Sequence, residues 1–299
     1  MPAMASVPTW SLAQESQLLT PQGDLWQPGS FIDGRFQVLH ELGSGGMGVV
    51  YQALDLQYSR HVALKVLDAD MVAHPTARRR MQQEAEALSR VEHPNVVRLF
   101  EAFELDSRVV LVLELVAGGT LGDIIGDNGV TCRQALPLLA GILAGLQAIH
   151  DAQLVHRDVK PENVLLTAAG VPKLADLGVA RDTQSTKQGL TTQLGTRLGT
   201  PYYMSPEQAQ GLAVDARSDV FSMGVLAFEL LTGQHAFDGP SEIEVLAAIV
   251  REPPPLQRLI GRCSPQTIDV IAQSLAKQVD DRFGSARAMA RALALSGGA

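Results

Sequence analysis

The chain has 299 residues, of which 46% are hydrophobic, so it is long enough for one large domain or two modest ones with a substantial core. Its 24 Lys and Arg residues against 32 Asp and Glu residues give a formal net charge of −8, which disfavours a general nucleic-acid-binding protein. The two cysteines, Cys132 and Cys263, are far apart and lack metal-ligand spacing. We therefore expect reduced thiols of a cytoplasmic protein, with a chance disulfide as the alternative.

The sequence predicts no membrane-spanning segment in this chain. No Lys or Arg precedes Arg35, so the N-terminus lacks the positive start of a secretory signal. The longest apolar stretch, Leu136–Ile149, is interrupted by a proline and two glycines and is shorter than a membrane span, which favours a buried helix. We expect no membrane contact from this chain itself, although a longer parent protein could carry an anchor beyond the Ser-Gly-Gly end at 296–298.

Residues 1–34 contain four prolines, few charges and no hydrophobic period, which is typical of a flexible tail. Trp10 and Trp26 favour the alternative, a segment that docks onto the rest of the chain, because tryptophans in a tail seldom stay exposed.

Residues 35–67 alternate as strands do, in the runs FQVLHEL, GVVYQALDL and RHVALKVL. The first two runs are joined by a GxGxxG sequence, Gly43-Ser44-Gly45-Gly46-Met47-Gly48. Alone this motif is weak, because dinucleotide-binding folds place the same spacing between a strand and a helix. Here a strand follows at Val49, so the glycines lie in a hairpin whose backbone can approach phosphates closely.

A helix is predicted over 74–90, with Met81, Ala85 and Leu88 on its inward face. Glu84 or Glu86 of this helix could pair with Lys65 on the preceding strand, although an isolated strand lysine is more often solvated. Two more strands, 96–103 and 108–115, lead to a glycine-rich hinge at 117–119.

The stretch 150–178 concentrates His156-Arg157-Asp158, Lys160, Asn163 and Asp176. Within it, 164–166 and 171–175 are predicted to form a short hairpin with a turn at 168–170. That hairpin would leave Asp158 and Asn163 on the loop before it and Asp176 on the loop after it. A base, a metal-binding amide and a metal-binding carboxylate would then converge, as phosphoryl transfer requires.

The run HRDVKPEN followed by DLG resembles the catalytic and metal-binding loops of the eukaryotic-type (Hanks-type) serine/threonine protein kinases. The resemblance extends over about 36–295, and the segments GGMGVVY and SPEQA are most similar to bacterial members. It implies an α+β, bilobal protein kinase fold. A small, mostly antiparallel β N-lobe with one key helix would span 35–116 and a larger, mostly helical C-lobe 117–295, with a short tail at 296–299.

The resemblance implies a role for each charged residue of the site. Asp158 would orient the substrate hydroxyl and accept its proton, and Lys160 would lie by the γ-phosphate. Lys65 would hold the α- and β-phosphates, and the family pattern favours Glu84 over Glu86 as its partner.

By the same resemblance, Asn163 and Asp176 would bind Mg²⁺, with Mn²⁺ as a substitute. The remaining residues expected to contact ATP are the glycine hairpin and the apolar or hinge positions around adenine. They are Leu42, Gly43, Ser44, Gly45, Gly46, Met47, Gly48, Val50, Ala63, Leu113, Glu114, Val116 and Leu165.

Residues 182–198 are polar and rich in threonine, and the GTP…SPE sequence after them resembles the end of an activation segment. Thr196 is the first candidate for phosphorylation and Thr192 the second, ahead of the other threonines at 183, 186 and 191. The resemblance implies a phosphate pocket formed by basic residues, namely Arg80, Arg157 and Arg181. Autophosphorylation of this segment is predicted, and a homodimer would allow it in trans.

Three further residues resemble structural residues of the family. Asp219 corresponds to the buried aspartate that holds the catalytic-loop backbone, and Glu207 with Arg282 to a buried ion pair. Leu177 departs from the pattern, because most of the family has Phe there. Helices are also predicted at 215–231, capped by Gly233, and at 266–277 and 285–295.

The sequence therefore predicts a serine/threonine protein kinase that transfers the ATP γ-phosphate to protein substrates. Two alternatives have the same fold. A pseudokinase scaffold would bind nucleotide without turnover, but Lys65, Glu84, Asp158, Asn163 and Asp176 are all present. A small-molecule kinase is disfavoured by the threonine-rich segment and the SPE sequence, which resemble a platform for protein substrates.

Overall fold

The computed structural model describes residues 26–45, 48–67, 75–105, 108–177 and 201–296. Backbone contacts divide the chain into two compact units. The first unit comprises Met1–Glu92 and Val97–Val116, and the second comprises His93–Val96 and Ala117–Ala299.

The first unit contains a six-stranded antiparallel sheet and one long helix. The strands lie in the order β1-β2-β3-β4-β6-β5. Their bounds are β1 Phe31–Ile32, β2 Phe36–Gly45, β3 Gly48–Asp55, β4 Arg60–Leu67, β5 Leu99–Leu105 and β6 Arg108–Glu114. The helix, α1, spans Pro75–Ser89. The strands and the helix that the alternating and helical patterns predict are therefore present in the expected order.

The period of two along β4 separates two kinds of side chain. Val62, Leu64 and Val66 are buried in the hydrophobic core on one face of the sheet. Ala63 and Lys65 point to the other face, where Lys65 reaches a glutamate of α1. The alternation that makes β4 a strand thus also directs its one lysine away from the core.

Trp26 and Ile32, which were expected in a flexible tail, are instead packed in or against the hydrophobic core of the first unit. Ile32 of β1 lies opposite Phe36 of β2 and is 1% exposed. Trp26 packs against the same core, with its ring centroid 5.6 Å from that of Tyr51. The expectation was wrong for these residues because a two-residue strand has no alternation to read, and the docking alternative holds for Trp26. Residues 1–25 lie outside the described part of the chain.

The second unit is mostly helical and contains one short antiparallel hairpin, β7 Val164–Leu166 with β8 Pro172–Leu174. Its α-helices are α2 Cys132–Asp151, α3 Pro206–Ala209, α4 Ala216–Thr232, α5 Glu242–Arg251, α6 Pro265–Ser274 and α7 Ala286–Ser296. Short 3₁₀ turns occupy Gly122–Ile124, Pro161–Asn163, Leu256–Leu259 and Val279–Asp281. Helix α5 was not predicted, although Ser241 caps it and two glutamates occupy its first turn.

Helix α4 forms the centre of the second unit and is buried along most of its length. Asp215 caps its first turn, and Gly233 ends it with a φ of 70°, in the left-handed region that glycine adopts without strain. Among the described helices, α2 is the one long and apolar enough by composition to cross a membrane. It packs instead against α4, α7 and β8, as the sequence predicted for a buried helix.

Candidate functional site

The glycine motif lies where β2 turns into β3, in the hairpin that the sequence predicts. Gly45 pairs with Gly48, and Gly43 pairs with Val50. A Cβ atom added at Gly43 would meet no other atom within 4 Å, so packing within the chain does not require glycine there. The absent side chain leaves this backbone open to close approach by a ligand, which fits a phosphate-binding loop. Gly46 and Met47 lie outside the described residues.

Lys65 and Glu84 form a two-pronged ion pair within the first unit. The Lys65 Nζ atom donates to both carboxylate oxygens of Glu84, at 2.8 Å and 3.0 Å. Their side chains are 14% and 7% exposed, respectively, whereas Glu86 is exposed. The structure therefore pairs the lysine with the glutamate that the resemblance favours, and a bidentate, charge-assisted contact fixes the ammonium in position.

Apolar residues expected around adenine are found on neighbouring strands of the first unit. Ala63 of β4 pairs with Leu113 of β6, and both are almost fully buried. Leu42 is 46% exposed and Val50 is half-buried. The backbone amide of Glu114 donates to the carbonyl of Arg98 at 2.9 Å, so this amide already has a partner within the first unit. Val116 follows β6 and is half-buried.

In the second unit, Asp158, Lys160 and Asn163 lie on one loop and contact each other. The Asn163 amide donates to the Asp158 carbonyl and to its carboxylate Oδ2, both at 2.8 Å. The Lys160 Nζ atom lies 3.0 Å from the same Oδ2. A carboxylate, an ammonium and an amide group are thus brought together on the loop before β7, where the sequence places Asp158 and Asn163. Leu165, the other expected ATP contact, is half-exposed in the middle of β7.

The Asp219 carboxylate of helix α4 accepts backbone hydrogen bonds from the start of this loop. Its Oδ2 accepts the His156 amide at 2.8 Å and lies 2.7 Å from the His150 Nε2 atom. Its Oδ1 accepts the Arg157 amide at 2.8 Å. The carboxylate is fully buried, so these bonds to charged oxygen are strong and compensate its desolvation. This geometry agrees with the role that the resemblance implies for Asp219.

The His156 ring connects the loop before the short hairpin to the residues after it. Its Nε2 atom lies 3.1 Å from the carbonyl of Ala175, and its Nδ1 atom lies 3.4 Å from the Asp158 amide. Complete burial lowers the pKa of His156, although the charges of Asp219 and Asp158 act in the opposite direction. A neutral ring that donates from Nε2 and accepts at Nδ1 satisfies both contacts, so His156 ties the loop of Asp158 to the residue before Asp176.

Two charged residues of the stretch 150–178 have left-handed backbones. Arg157 has a φ of 65° and Asp176 a φ of 52°. Such conformations cost non-glycine residues free energy and persist where surrounding bonds impose them. At Arg157 those bonds are the amide donated to Asp219 and the carbonyl that accepts from Gln208 at 2.9 Å. Gln208 was not recognised in the sequence, where a polar residue after a Pro-Glu pair carries no distinct signal.

Asn163 and Asp176 have the donor types that a hard divalent cation prefers. Both amide hydrogens of Asn163 point to Asp158, which leaves the amide oxygen as its remaining ligand atom. The Asp176 carboxylate is exposed, and the Ala175 amide before it donates to the carbonyl of Asn163 at 2.9 Å. Mg²⁺ typically takes one or two carboxylate or amide oxygens besides phosphates and water, so the pair fits it. In the described ranges, no larger group of His, Cys, Asp and Glu is arranged to hold a metal.

Two structural expectations for the second unit hold. The Arg282 guanidinium donates to both oxygens of Glu207 at 2.8 Å. Burial raises the pKa of Glu207, but the bonds from Arg282 and Ser218 outweigh it, so the pKa lies below its usual value. Leu177 is buried, so it fills an apolar position as a phenylalanine would.

A cavity of about 360 Å³ opens beside Asp158 in the second unit. Its wall combines the loop of Asp158 with the segment before α3 and the end of α4. The lining residues are Arg157, Asp158, Lys160, Glu162, Pro201, Tyr202, Tyr203, Met204, Glu229 and His235. Tyr202 stacks on His235 with ring centroids 3.8 Å apart, and the Tyr203 hydroxyl donates to Glu229. Sequence reasoning missed Glu229, although a lone carboxylate near the end of an apolar helix is a signal that could have identified it.

The predicted phosphorylation region falls in a part of the chain that the structure does not describe. Arg181 and all the candidate threonines, including Thr192 and Thr196, lie outside the described residues. Arg80 is half-buried on α1 in the first unit. Arg157, the third member of the predicted phosphate pocket, lines the same cavity as Asp158.

Comparisons with known proteins agree with this geometry. The protein kinase domain model matches residues 36–293. The serine/threonine-protein kinase pkn2 of Myxococcus xanthus is 40% identical over 274 residues, which is 88% of this chain and 32% of that protein. PrkC of Bacillus subtilis, also a serine/threonine-protein kinase, is 35% identical over 263 residues, covering 87% of this chain and 40% of that protein.

A solved structure gives the same result for the fold. The kinase domain of Mycobacterium tuberculosis PknI, crystallised as a point mutant, has a TM-score of 0.70 and 26% identity, and the match covers 92% of this chain and 100% of that one. This chain belongs to the protein kinase family, and its relatives are Hanks-type serine/threonine kinases of bacteria. The expected family and fold class are confirmed, and members of the family use ATP with a divalent cation. The chain spans 32% to 48% of the length of the curated relatives it matches.

Proposed function

We propose that this chain is an ATP- and Mg²⁺-dependent protein kinase that phosphorylates serine or threonine hydroxyls of protein substrates. The observation that carries the proposal is the loop in which Asp158, Lys160 and Asn163 contact one another over the buried carboxylate of Asp219. Such a loop matches what phosphoryl transfer needs, which is accurate positioning and neutralisation of charge.

Each charged residue of the site has a separate role in the proposed reaction. Asp158 orients the substrate hydroxyl and accepts its proton, while Lys160 lies by the transferred phosphoryl group and balances its charge. Lys65, held by Glu84, binds the α- and β-phosphates. The metal supplies charge neutralisation at the phosphates when bound, and Asn163 and Asp176 would hold it.

The remaining contacts to ATP are assigned by the same reasoning. The backbone of the glycine hairpin covers the phosphates, where Gly43 leaves room for them. Leu42, Val50, Ala63, Leu113 and Leu165 supply the apolar surface for adenine, and the backbones of Glu114 and Val116 supply its hydrogen bonds. Because ATP is an intracellular nucleotide, we also infer that the catalytic chain works in the cytoplasm.

Activation is proposed to proceed by autophosphorylation at Thr196, with Thr192 as the second site. A phosphate there would bind the guanidinium groups of Arg157, Arg181 and Arg80, which are suited to bidentate contacts with phosphate oxygens. A transient homodimer would allow one copy to phosphorylate the other.

The test uses the purified chain incubated with ATP and Mg²⁺, followed by mass spectrometry of the tryptic peptide 188–197. Phosphate in the intact sequence and its loss in Asp158→Asn are expected, with transfer rates lower by roughly 10²–10⁴-fold. Asp151→Asn, on the exposed end of α2, is the matched control and should behave like the parent chain.

The outcomes separate the alternatives. Nucleotide binding without phosphate on this peptide or on a generic acceptor protein would contradict the proposal and favour the pseudokinase. Transfer to a generic acceptor protein but not to residues 188–197 would keep the kinase and overturn only the proposed autophosphorylation.

A further inference from the structure

Three aromatic rings lie together in the wall of the cavity beside Asp158. The ring of Tyr202 stacks on that of His235, with centroids 3.8 Å apart and planes 16° from parallel. Tyr203 meets the same histidine edge to face, with centroids 6.2 Å apart and an angle of 89° between the planes. His235 is therefore the ring that joins the two tyrosines.

Glu229 fixes His235 and Tyr203 near the end of helix α4. Its Oε1 atom lies 3.4 Å from the His235 Nδ1 atom, and its Oε2 atom accepts the Tyr203 hydroxyl. The Ser222 hydroxyl of the same helix donates to the Tyr203 carbonyl at 2.7 Å. Tyr203 is thus tied to α4 both through its backbone and through its hydroxyl group.

Tyr202 is held in a different way. Among the residues that the structure describes, none forms a hydrogen bond or an ion pair with the Tyr202 side chain, and the aromatic contact of its ring is the stack on His235. Tyr202 is half-buried and lines the cavity, so part of its ring remains open to a ligand. The position of this open ring therefore depends on the histidine.

The open ring of Tyr202 lies where a protein substrate would bind. Asp158 and Lys160, which the proposed function assigns to the acceptor hydroxyl and the transferred phosphoryl group, line the same cavity. A serine or threonine whose hydroxyl reaches Asp158 brings its neighbouring residues into this cavity. A tyrosine ring offers such residues a rigid contact surface at a low cost in conformational entropy.

The charges around His235 favour its protonated form. The contact with Glu229 raises the pKa of His235 most, burial opposes this effect, and the charges of Asp238 and Glu162 raise the pKa further. The other charged residues that line the cavity are Arg157, Asp158 and Lys160. A protonated ring is attracted both by the Glu229 carboxylate and by the face of the Tyr202 ring, so protonation strengthens both contacts.

We propose that His235 is a positioning residue for the protein substrate, because it holds the Tyr202 ring as the cavity wall against which the acceptor segment lies beside Asp158. This inference rests on the proposed kinase function and adds to it a residue outside the stretch 150–178. Because protonation strengthens the stack, the acceptor should bind more tightly at low pH than at high pH.

The experiment measures phosphate transfer from ATP to casein, used as the acceptor protein, by the full chain at about pH 6 and at about pH 8.5, on either side of the usual titration range of histidine. His235→Ala removes the ring, so the KM for casein should rise roughly two- to tenfold, as expected for the loss of one aromatic pair. The value of kcat and the KM for ATP should stay within about twofold of the parent chain.

His235→Phe separates the stack from the charge. Phenylalanine keeps a ring for Tyr202 but cannot be protonated. It should restore the KM of the parent chain at about pH 8.5, but not the decrease in KM toward about pH 6. His61→Ala, at an exposed position of β4, is the matched control and should leave all these values unchanged.

The outcomes distinguish this inference from the proposed function. An unchanged KM for casein in His235→Ala would overturn the positioning role and leave the kinase intact. A loss of ATP binding and kcat in His235→Ala that His235→Phe does not repair would show that the residue only maintains the fold of the cavity wall. An equal pH dependence in the parent chain and in His235→Phe would overturn the role of the protonated ring. A parent chain that transfers no phosphate would overturn the proposed function, and this inference with it.

Discussion

The two units hold their charged site residues in different ways. In the first unit, the Lys65 ammonium contacts a side chain, the Glu84 carboxylate on α1. In the second unit, the loop of Asp158 is held by several buried groups, among them the Asp219 carboxylate and the His156 ring. The contact in the first unit joins two side chains, whereas the contacts in the second unit join side chains to the backbone of the loop.

This difference has a physical consequence. A single ion pair between a strand and a helix can open without leaving backbone groups unsatisfied, so it can act as a switch while the sheet stays folded. Removing the carboxylate of Asp219 leaves two buried amides without their acceptor, and buried unpaired groups cost far more than the bond itself. The first unit is therefore suited to regulation, and the second to constant geometry.

The largest effect is expected from Asp219→Asn. The amide replaces one accepting oxygen by a donor, so a buried N–H of His156 or Arg157 loses its partner. We expect a loss of about 3–5 kcal/mol in the free energy of unfolding, measured by urea denaturation. The rate of phosphoryl transfer should fall roughly 100-fold, because the loop of Asp158 is no longer accurately placed.

Asp215→Asn is the matched control on the same helix. Asp215 caps α4 through a bond to the Arg217 amide, and asparagine caps a helix about as well as aspartate. Its free energy of unfolding should change by less than about 1 kcal/mol. If the two variants unfolded alike and both kept full activity, the loop would be held without Asp219, and the comparison between the units would fail.

A smaller effect on stability, with a clear effect on activity, is expected from Glu84→Gln. Glutamine keeps an oxygen for the Lys65 ammonium but loses the negative charge, so the ion pair is replaced by a weaker hydrogen bond with one accepting oxygen. The value of kcat/KM for ATP should fall roughly tenfold, while the free energy of unfolding falls by only about 1–2 kcal/mol.

Glu86→Gln provides the comparison for this variant, since Glu86 is exposed on the same helix. It should leave both quantities within error of the parent chain. Equal kinetics in the two variants would mean that the ion pair to Lys65 has no part in ATP use. A loss of stability at Glu84 as large as that at Asp219 would mean that the first unit is also held by a network.

Much of this site could be predicted because its signals are local in sequence. The stretch 150–178 predicts a loop, a hairpin and a second loop. The placement of Asp158 and Asn163 before the hairpin and of Asp176 after it therefore follows from periodicity and turn residues, whereas their roles come from the family resemblance. The pairing of Lys65 with Glu84 needed the family pattern, because helical spacing alone leaves Glu84 and Glu86 open.

What the sequence could not predict depends on residues brought together from distant segments. The Arg262 guanidinium donates to the carbonyls of Asn128 and Leu231, and nothing near any of these three residues indicates the others. The cavity wall likewise combines Glu229 of α4 with tyrosines that precede α3. β1 escaped prediction for a different reason, because two residues are too few to show a period.

The smallest predicted effect is a pH dependence of the stability that is due to the protonation of His235. Its Nδ1 atom lies 3.4 Å from Glu229, and this carboxylate, with those of Asp238 and Glu162, raises the pKa of His235 against the effect of burial. A raised pKa means that the folded state binds the proton more tightly. The stabilisation is complete below about pH 6.5, the usual value of unfolded histidine, and is lost as the pH rises through the folded pKa.

The contribution of His156 to the free energy of unfolding has the opposite pH dependence. Its pKa is lowered in the folded state, so the stabilisation is present above about pH 6.5 and is lost as the pH falls. His235 and His156 thus respond to acid in opposite directions, one at the cavity wall and one within the buried hydrogen bonds of the loop. His235→Asn should lower the free energy of unfolding by about 0.5–1 kcal/mol more at pH 5.5 than at pH 8.5, measured by urea denaturation.

Glu229→Gln should lower the NMR titration midpoint of His235. An unchanged midpoint would show that the Glu229 carboxylate does not set the pKa of this ring.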